Sequence, residues 1–156
     1  MSDDHLYRRG VGIMLLNQAR HVWVGRRIDN KEEAWQMPQG GIDPGEEPWP
    51  AALRELEEET GVAPRLVERL ADHPQRLRYD LPPDLAGRLW RGQWKGQLQD
   101  WFLLKFNGND ADVNIATAHP EFSHWQWVEP NRLPELIVPF KRDMYRSIVD
   151  GFRDWL

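Results

Sequence analysis

The stretch from Gly40 to Val62 constrains the fold more than any other part of the chain. It opens with a turn rich in glycine and proline, and no further glycine follows until Gly61. Pro48 or Pro50 suits the first turn of a helix, where the missing N–H of proline costs nothing. Gly61 suits the left-handed position just past a helix end. We therefore predict a helix from about Trp49 to about Thr60.

Three glutamates share one face of this predicted helix. Glu55, Glu58 and Glu59 are spaced i, i+3 and i+4, which brings their carboxylates together. One interpretation is a solvated acidic face that Arg54 partly neutralises. The other is a metal site, because hard oxygen ligands at this density suit Mg²⁺ or Mn²⁺. The turn and the closing glycine aim the acids from a fixed platform and favour the metal site. The residues of another face can pack inward: Ala52, Leu53 and Leu56.

The same stretch resembles the Nudix box residue for residue. Gly40 is followed after five residues by Glu46, and after seven more by the run from Arg54 to Val62. The chain is thus similar to the Nudix hydrolases, which cleave a diphosphate bond in a nucleoside diphosphate linked to another group. The resemblance implies an α+β fold, a mixed and curved β-sheet between helices. The length of 156 residues and the 40% of hydrophobic residues predict one domain over residues 1–156. It also implies that Glu46 supports the junction between loop and helix.

The resemblance also assigns roles to the acids of the box. It implies that the box acids hold divalent cations and that Arg54 orients one of them. The expected metal ligands are Gly40, Glu55, Glu58, Glu59 and Glu121. The expected catalytic residues are Arg54, Glu55 and Glu58. Water bound to the cation becomes nucleophilic near neutral pH because the metal lowers its pKa, and one glutamate accepts the proton.

Glu121 lies far from the box in sequence, in the turn from His119 to Phe122 before the predicted strand Trp125–Val128. A glutamate in such a turn is usually an exposed loop residue. In one branch of the resembled family the matching residue lies across from the box helix and adds a carboxylate to the metal cluster. We expect this second role here.

Segments outside the box narrow the resemblance to one branch, the asymmetric diadenosine tetraphosphate hydrolases and the bacterial RNA 5′-pyrophosphohydrolases. They are Tyr7–Arg9, Trp35–Ile42, Tyr79–Pro83, Trp94–Gln97, Trp101–Leu103 and Pro120–Phe122. The substrate is then either diadenosine tetraphosphate, giving ATP and AMP, or a 5′-triphosphorylated RNA, giving a monophosphorylated end and pyrophosphate. A hypothesis of another class is a non-catalytic nucleotide sensor on the same fold. A sensor could lose the box acids without cost, whereas this chain keeps them all.

Five further residues are candidates for binding the substrate. Arg8 and Arg27 flank two predicted strands, Val11–Leu16 and Val22–Val24; they are either solvated or clamp phosphate oxygens through their planar guanidinium groups. In the resembled branch a tyrosine matching Tyr79 and a phenylalanine matching Phe140 flank the nucleobase, and Lys141 would then meet phosphate. The alternative for Phe140 is simple packing in the core.

One residue departs from the pattern of the branch. Asp100 stands where the branch commonly has a lysine, in the run from Gly96 to Phe102. If Asp100 faces the phosphate channel, affinity for a highly charged substrate should fall. The alternation of the strand is compatible with either orientation.

The remaining elements are predicted from pattern. Arg65–His73, Gln75–Tyr79 and Gln97–Phe106 read as strands, and Pro130–Ile137 as a short helix. Arg142–Trp155 reads as an amphipathic helix whose apolar stripe is core; its members are Met144, Ile148, Phe152 and Trp155.

Composition excludes several classes of protein. The chain has no cysteine, so it has no disulfide partner and no zinc–thiolate site. It carries no apolar run of about 18 residues, and we expect a cytoplasmic protein that does not contact the membrane. Its net charge of −5 is unlike that of proteins that coat nucleic acid, so RNA would be gripped at one end only. The sequence indicates no oligomeric state.

Overall fold

The computed structural model describes residues 2–29 and 33–156, and these residues form a mixed sheet of eight strands with helices. The strands are β1 (Tyr7–Leu16), β2 (Val22–Arg27), β3 (Trp35–Gln36), β4 (Gln39–Gly41), β5 (Val67–Asp72), β6 (Leu77–Asp80), β7 (Gly96–Phe106) and β8 (Phe122–Val128). The α-helices are α1 (Pro48–Thr60), α2 (Pro83–Ala86), α3 (Leu133–Leu136) and α4 (Arg142–Gly151).

Strands β1 and β7 form the centre of the sheet and run parallel, in register from Tyr7 opposite Gly96 to Leu16 opposite Lys105. The strand order is β3–β2–β1–β7–β5, while β4 also pairs with β1, β6 with β7 and β8 with β2. All of these other pairings are antiparallel. The parallel pair among antiparallel ones confirms the predicted mixed sheet.

Each face of the sheet carries its own hydrophobic core. Successive residues of a strand point to opposite faces, and in β1 both Ile13 and Met14 are fully buried. Ile13 belongs to the core that contains Leu56 of α1. Met14 belongs to the core that contains Ile148 of α4. The sheet therefore lies between helices, as the resemblance implied.

The helix that carries the box glutamates begins and ends close to its predicted limits. Pro48 opens α1, and Gly61 follows its last residue with φ 76°, in the left-handed region. The N–H of Gly61 donates to the carbonyl of Glu57 at 2.9 Å and closes the last turn. Leu56 is fully buried, which stabilises the packing of α1 by roughly 1.5–3 kcal/mol.

The prediction for the C-terminal helix was wrong at its end. Helix α4 stops at Gly151, and a 3₁₀ turn, Arg153–Trp155, follows. A 3₁₀-helix has about 3.0 residues per turn, whereas an α-helix has about 3.6. The Trp155 side chain therefore leaves the apolar stripe and is 44% exposed, whereas Phe152 is buried. The predicted helix at Pro130–Ile137 is a 3₁₀ turn followed by α3. None of the helices in the described ranges is long and apolar enough to cross a bilayer.

Candidate active site

Most of the predicted site residues line one cavity of about 1070 Å³. Those that line it are Arg8, Arg27, Gly40, Glu55, Tyr79, Glu121, Phe140 and Lys141. Arg54 is linked to the cavity by its hydrogen bond to Glu55, and Glu58 by the bond that it accepts from Arg54. Glu59 is linked to it by the bond that it accepts from the N–H of Gln39. Arg8 of β1 pairs with Gln97 of β7, and two residues later Gly10 of β1 pairs with Gly41 of β4. The sheet therefore brings Arg8 close to the loop that leads from β4 into α1.

Gly40 allows α1 to approach the loop before it. In β4, Gly40 pairs with Val11 of β1, and a side chain at Gly40 would overlap the carboxylate of Glu55. The Glu55 side chain is only 13% exposed. Burial is the main cause that raises its pKa to about 7, and the charges of Glu58 and Glu121 add to it against the opposing effect of Arg54.

Glu59 is buried, and none of the ion pairs within residues 2–29 and 33–156 involves it. It is 2% exposed, and its Oε2 accepts a hydrogen bond from the N–H of Gln39 at 3.0 Å. Its Oε1 has no hydrogen-bond partner in the described part of the chain. Burial first, then the neighbouring carboxylate of Glu121, raises the pKa of Glu59 well above the usual value. A buried oxygen without a partner is costly, and these hard oxygen donors fit a divalent cation.

Arg54 ties the box loop to the box helix. Its Nε and Nη2 donate to the two carboxylate oxygens of Glu46 at 2.8 Å each, and Nη2 also donates to the carbonyl of Gly41 at 3.0 Å. Its Nη1 donates to Glu55 at 2.9 Å and to Glu58 at 3.2 Å. With Arg54 between the acids, residues 2–29 and 33–156 contain no group of three acidic or histidine side chains arranged as a ligand set. The Glu58 side chain is 58% exposed.

The three candidate cations differ in how much charge they offer. Arg27 donates two bonds to Asp29, at 2.8 and 2.7 Å, and is largely neutralised. Lys141 is buried, and burial, with the charge of Arg27 next, lowers its pKa to about 8. The Lys141 Nζ lies 4.7 Å from the ring centroid of Tyr79. Arg8 forms no ion pair in the described part of the chain and packs against Gly41.

The two candidate aromatic residues contact each other. The rings of Tyr79 and Phe140 have centroids 5.8 Å apart and are tilted by 52°, which is the separation of directly packed aromatic pairs. Tyr79 is only 6% exposed, and burial raises its pKa to about 12. In this conformation the pair forms one continuous surface, and a base could enter between the rings only if they moved apart.

A chain of glutamines was missed by the sequence analysis. Gln99 is fully buried, and its Nε2 donates to Oε1 of Gln39 and of Gln97 at 2.5 Å each. Trp101 Nε1 donates to Oε1 of Gln99 at 2.9 Å. Gln39 and Gln97 line the cavity, as does Gln36, whose buried Nε2 has no partner in the described residues. The alternating glutamines of β7 were the available signal, since buried amides need partners.

Asp100 does not face the cavity. Residues 97, 99 and 101 are joined by hydrogen bonds on one face of β7, so Asp100 shares the other face with Phe102. There it accepts bonds from Arg9 Nη2 at 2.7 Å and from Arg76 Nε at 3.3 Å. Asp100, the residue that departs from the pattern of the branch, therefore binds two arginines on the face of β7 that points away from the glutamine chain. It does not place a negative charge in the phosphate channel.

The chain matches one protein family and its curated members over nearly its whole length. Residues 6–148 match the NUDIX domain family. The chain is 55% identical over 150 residues to the RNA pyrophosphohydrolase of Dinoroseobacter shibae, covering 96% of this chain and 94% of that protein. It is 59% identical over 150 residues to the RNA pyrophosphohydrolase of Novosphingobium aromaticivorans, covering 95% of this chain and 93% of that protein.

Solved structures share the fold at low sequence identity. The binary complex of a C. elegans Ap4A hydrolase has a TM-score of 0.68 at 20% identity and covers 94% of this chain and 98% of that one. The E. coli dihydroneopterin triphosphate pyrophosphohydrolase has a TM-score of 0.72 at 18% identity, with 94% and 99% covered. Nudix hydrolases generally need a divalent cation. From the family match, the close relatives and the shared fold, we conclude that this chain is a hydrolase of the Nudix family.

Proposed function

We propose that the chain removes pyrophosphate from the 5′-triphosphate end of RNA, with Mg²⁺ as the cation and Mn²⁺ as a substitute. The support from sequence is the identity of 55–59% to relatives named RNA pyrophosphohydrolase over nearly the whole chain. The structural observation that carries the proposal is one cavity that combines carboxylates, cations and an aromatic surface. A polyphosphate that bears a nucleobase has the matching parts.

The proposed ligands of the cation are Gly40, Glu55, Glu58, Glu59 and Glu121. A divalent cation held there would supply positive charge next to the phosphates and lower the pKa of water. Arg54 keeps Glu55 and Glu58 in place through its fork of donors. One of the glutamates accepts the proton of the attacking water.

Arg8, Arg27 and Lys141 are the proposed phosphate-binding residues. All three line the cavity, and their cationic donors would bind the phosphate oxygens of the substrate and balance their charge. Tyr79 and Phe140 provide the proposed surface for the base, with a stacking contribution of about 1–3 kcal/mol. Entry of a base between the two rings would require Phe140, the less buried of the two, to move.

Diadenosine tetraphosphate is the second candidate substrate. The cavity of about 1070 Å³ holds another aromatic ring besides the Tyr79–Phe140 pair, that of Trp90. A second ring could receive the second adenine of a dinucleotide. The expected products are ATP and AMP.

Product analysis on a panel of substrates tests the proposal. The purified protein is incubated with Mg²⁺ in H₂¹⁸O and either a 5′-triphosphorylated RNA or diadenosine tetraphosphate. We expect pyrophosphate and monophosphorylated RNA, with ¹⁸O in a phosphate product, and a larger kcat/KM for the RNA. A larger kcat/KM for diadenosine tetraphosphate would favour the second candidate, and two ADP molecules as the main products would exclude asymmetric cleavage. Binding without turnover of either substrate would contradict the proposed activity.

We also propose the cytoplasm as the location of the protein, because 5′-triphosphorylated RNA is found there and the chain has no cysteine.

A further inference from the structure

The guanidinium of Arg8 contacts both a glycine and a tryptophan. It packs so closely on Gly41 that a side chain at this position would overlap it. The Arg8 Cζ also lies 5.3 Å from the centroid of the Trp90 ring, within the range of a cation–π contact. All three residues line the cavity. Neither of these two neighbours of the planar cation carries a negative charge.

Trp90 reaches this place through an unusual backbone. Trp90 has φ 51° and ψ 34°, and Arg91 has φ 58° and ψ 30°, so two consecutive residues with side chains are left-handed. The left-handed conformation is rare for residues with side chains. It persists where the surrounding structure fixes it, often at functional sites. Trp90 belongs to the segment of residues 81–95, and backbone hydrogen bonds hold the two ends of this segment. The N–H of Leu81 donates to the carbonyl of Lys95 at 2.7 Å, and the N–H of Lys95 donates to the carbonyl of Leu6 at 2.8 Å. The second bond joins the segment to the residue that precedes β1 and Arg8.

The contrast with Arg27 shows what an aromatic partner can do. Asp29 orients Arg27 and at the same time neutralises it. Trp90 can orient Arg8 through the negative face of its ring without a formal negative charge, and Arg8 has no ion pair within residues 2–29 and 33–156. The charge of Arg8 stays available to an anion in the cavity.

We propose that Trp90 is a positioning residue that holds the Arg8 guanidinium against Gly41, ready to bind the phosphates of the substrate. The inference rests on the proposed function in one respect, that the anion is a polyphosphate. Trp90 acts through Arg8, so its effect requires Arg8 to be present.

A double-mutant cycle tests this dependence. The steady-state kinetics of the wild type, Trp90→Leu, Arg8→Gln and the double variant are measured with a 5′-triphosphorylated RNA. We expect Trp90→Leu to raise KM about 3- to 30-fold with kcat nearly unchanged, the range expected for a cation–π contact. In the Arg8→Gln background the same change should alter KM less than twofold. An equal effect of Trp90→Leu in both backgrounds would overturn the inference, because a general packing role does not depend on Arg8.

Two further variants separate positioning from packing. Trp90→Phe keeps an aromatic face and should retain most of the affinity, and it replaces Trp90→Leu in the cycle if that variant does not fold. Trp155→Leu is the matched control, because Trp155 is 44% exposed and lies outside the cavity; its KM should equal that of the wild type. Loss of affinity in Trp90→Phe as large as in Trp90→Leu would contradict a role for the aromatic face.

A spectroscopic test does not depend on turnover. In a ¹H–¹⁵N spectrum the Nε–H resonance of Arg8 is assigned by its loss in Arg8→Lys. A guanidinium stacked on Trp90 should show a ring-current shift that disappears in Trp90→Leu. If no substrate is hydrolysed but the shift is present, the proposed function fails and the positioning role stands. An Arg8 resonance that Trp90→Leu leaves unmoved would exclude the positioning role.

Discussion

At the scale of single residues, the buried carboxylate of Glu59 provides a test of the proposed metal site. Its buried Oε1 has no partner in the described residues. We expect Glu59→Gln to raise the free energy of unfolding of the metal-free protein by about 1–3 kcal/mol, because the amide has no charge to desolvate. Turnover should fall by orders of magnitude, and stabilisation by Mg²⁺ in thermal melts should shrink. Glu57→Gln, at an exposed position of the same helix, is the control. Equal changes in both variants would contradict a special role for Glu59.

Gly40 gives a second prediction at the residue scale. A methyl group on Gly40 would overlap the Glu55 carboxylate, so Gly40→Ala should displace Glu55. We expect kcat to fall at least tenfold, which corresponds to an increase of about 1.4 kcal/mol in the activation free energy. Gly87→Ala is the matched control, since a side chain at Gly87 would meet open space. The measurement is kcat under saturating Mg²⁺. Unchanged kcat in Gly40→Ala would mean that the contact between Gly40 and Glu55 has no part in catalysis.

At the scale of elements, the pair of Glu46 and Arg54 holds the box loop on α1. Hydrogen bonds from Arg54 are the main cause that lowers the pKa of Glu46 to about 2, from 4.5 in the unfolded chain. A carboxylate with a depressed pKa contributes stability that is present above pH 4.5 and is lost as pH falls toward 2. We expect the melting temperature of Glu46→Gln to lie below that of the wild type at pH 7, and the difference to shrink as pH falls from about 4.5 toward 2.

The pH series needs a comparison within the same loop. Asp43 lies 3.6 Å from Arg54 and its side chain is 66% exposed, so Asp43→Asn should change the melting temperature little at any pH, as exposed pairs contribute little. A difference between Glu46→Gln and the wild type that stays constant from pH 7 to pH 2 would contradict an ionic role for Glu46.

At the scale of the whole molecule, the protein has a net charge of −5, whereas its cavity is lined by the cations Arg8, Arg27 and Lys141. RNA should then be bound at its phosphorylated end, with few phosphates neutralised. For three cations, and about −0.7 per contact with a single strand, log kcat/KM should fall against log salt with a slope no steeper than about −2. A slope near −5 would indicate an extended basic track along the RNA. The measurement uses one triphosphorylated RNA over a range of KCl concentrations.

Local sequence determined the parts of the fold that are written within one turn or one strand. Pro48 and Gly61 set the ends of α1 because each suits a single backbone position. The residue patterns of Val11–Leu16 and Gln97–Phe106 indicated the strands β1 and β7, the first of them as a buried strand. The end of α4 was missed, because Trp155 fits the helical stripe by spacing and only the change to a 3₁₀ turn shows that its ring turns outward.

The site needed more than local pattern. The spacing of Glu55, Glu58 and Glu59 follows from the helix alone, whereas Glu121 was expected through the resemblance, and no periodicity within the chain links it to α1. The tertiary structure decided that Asp100 lies behind the sheet, that Tyr79 contacts Phe140, and that Trp90 covers Arg8. The physical reason is that helix caps and strand alternation are encoded by neighbours in sequence. Contacts between residues tens of positions apart depend on which strands pair and which faces pack, and these are settled only when the whole chain folds.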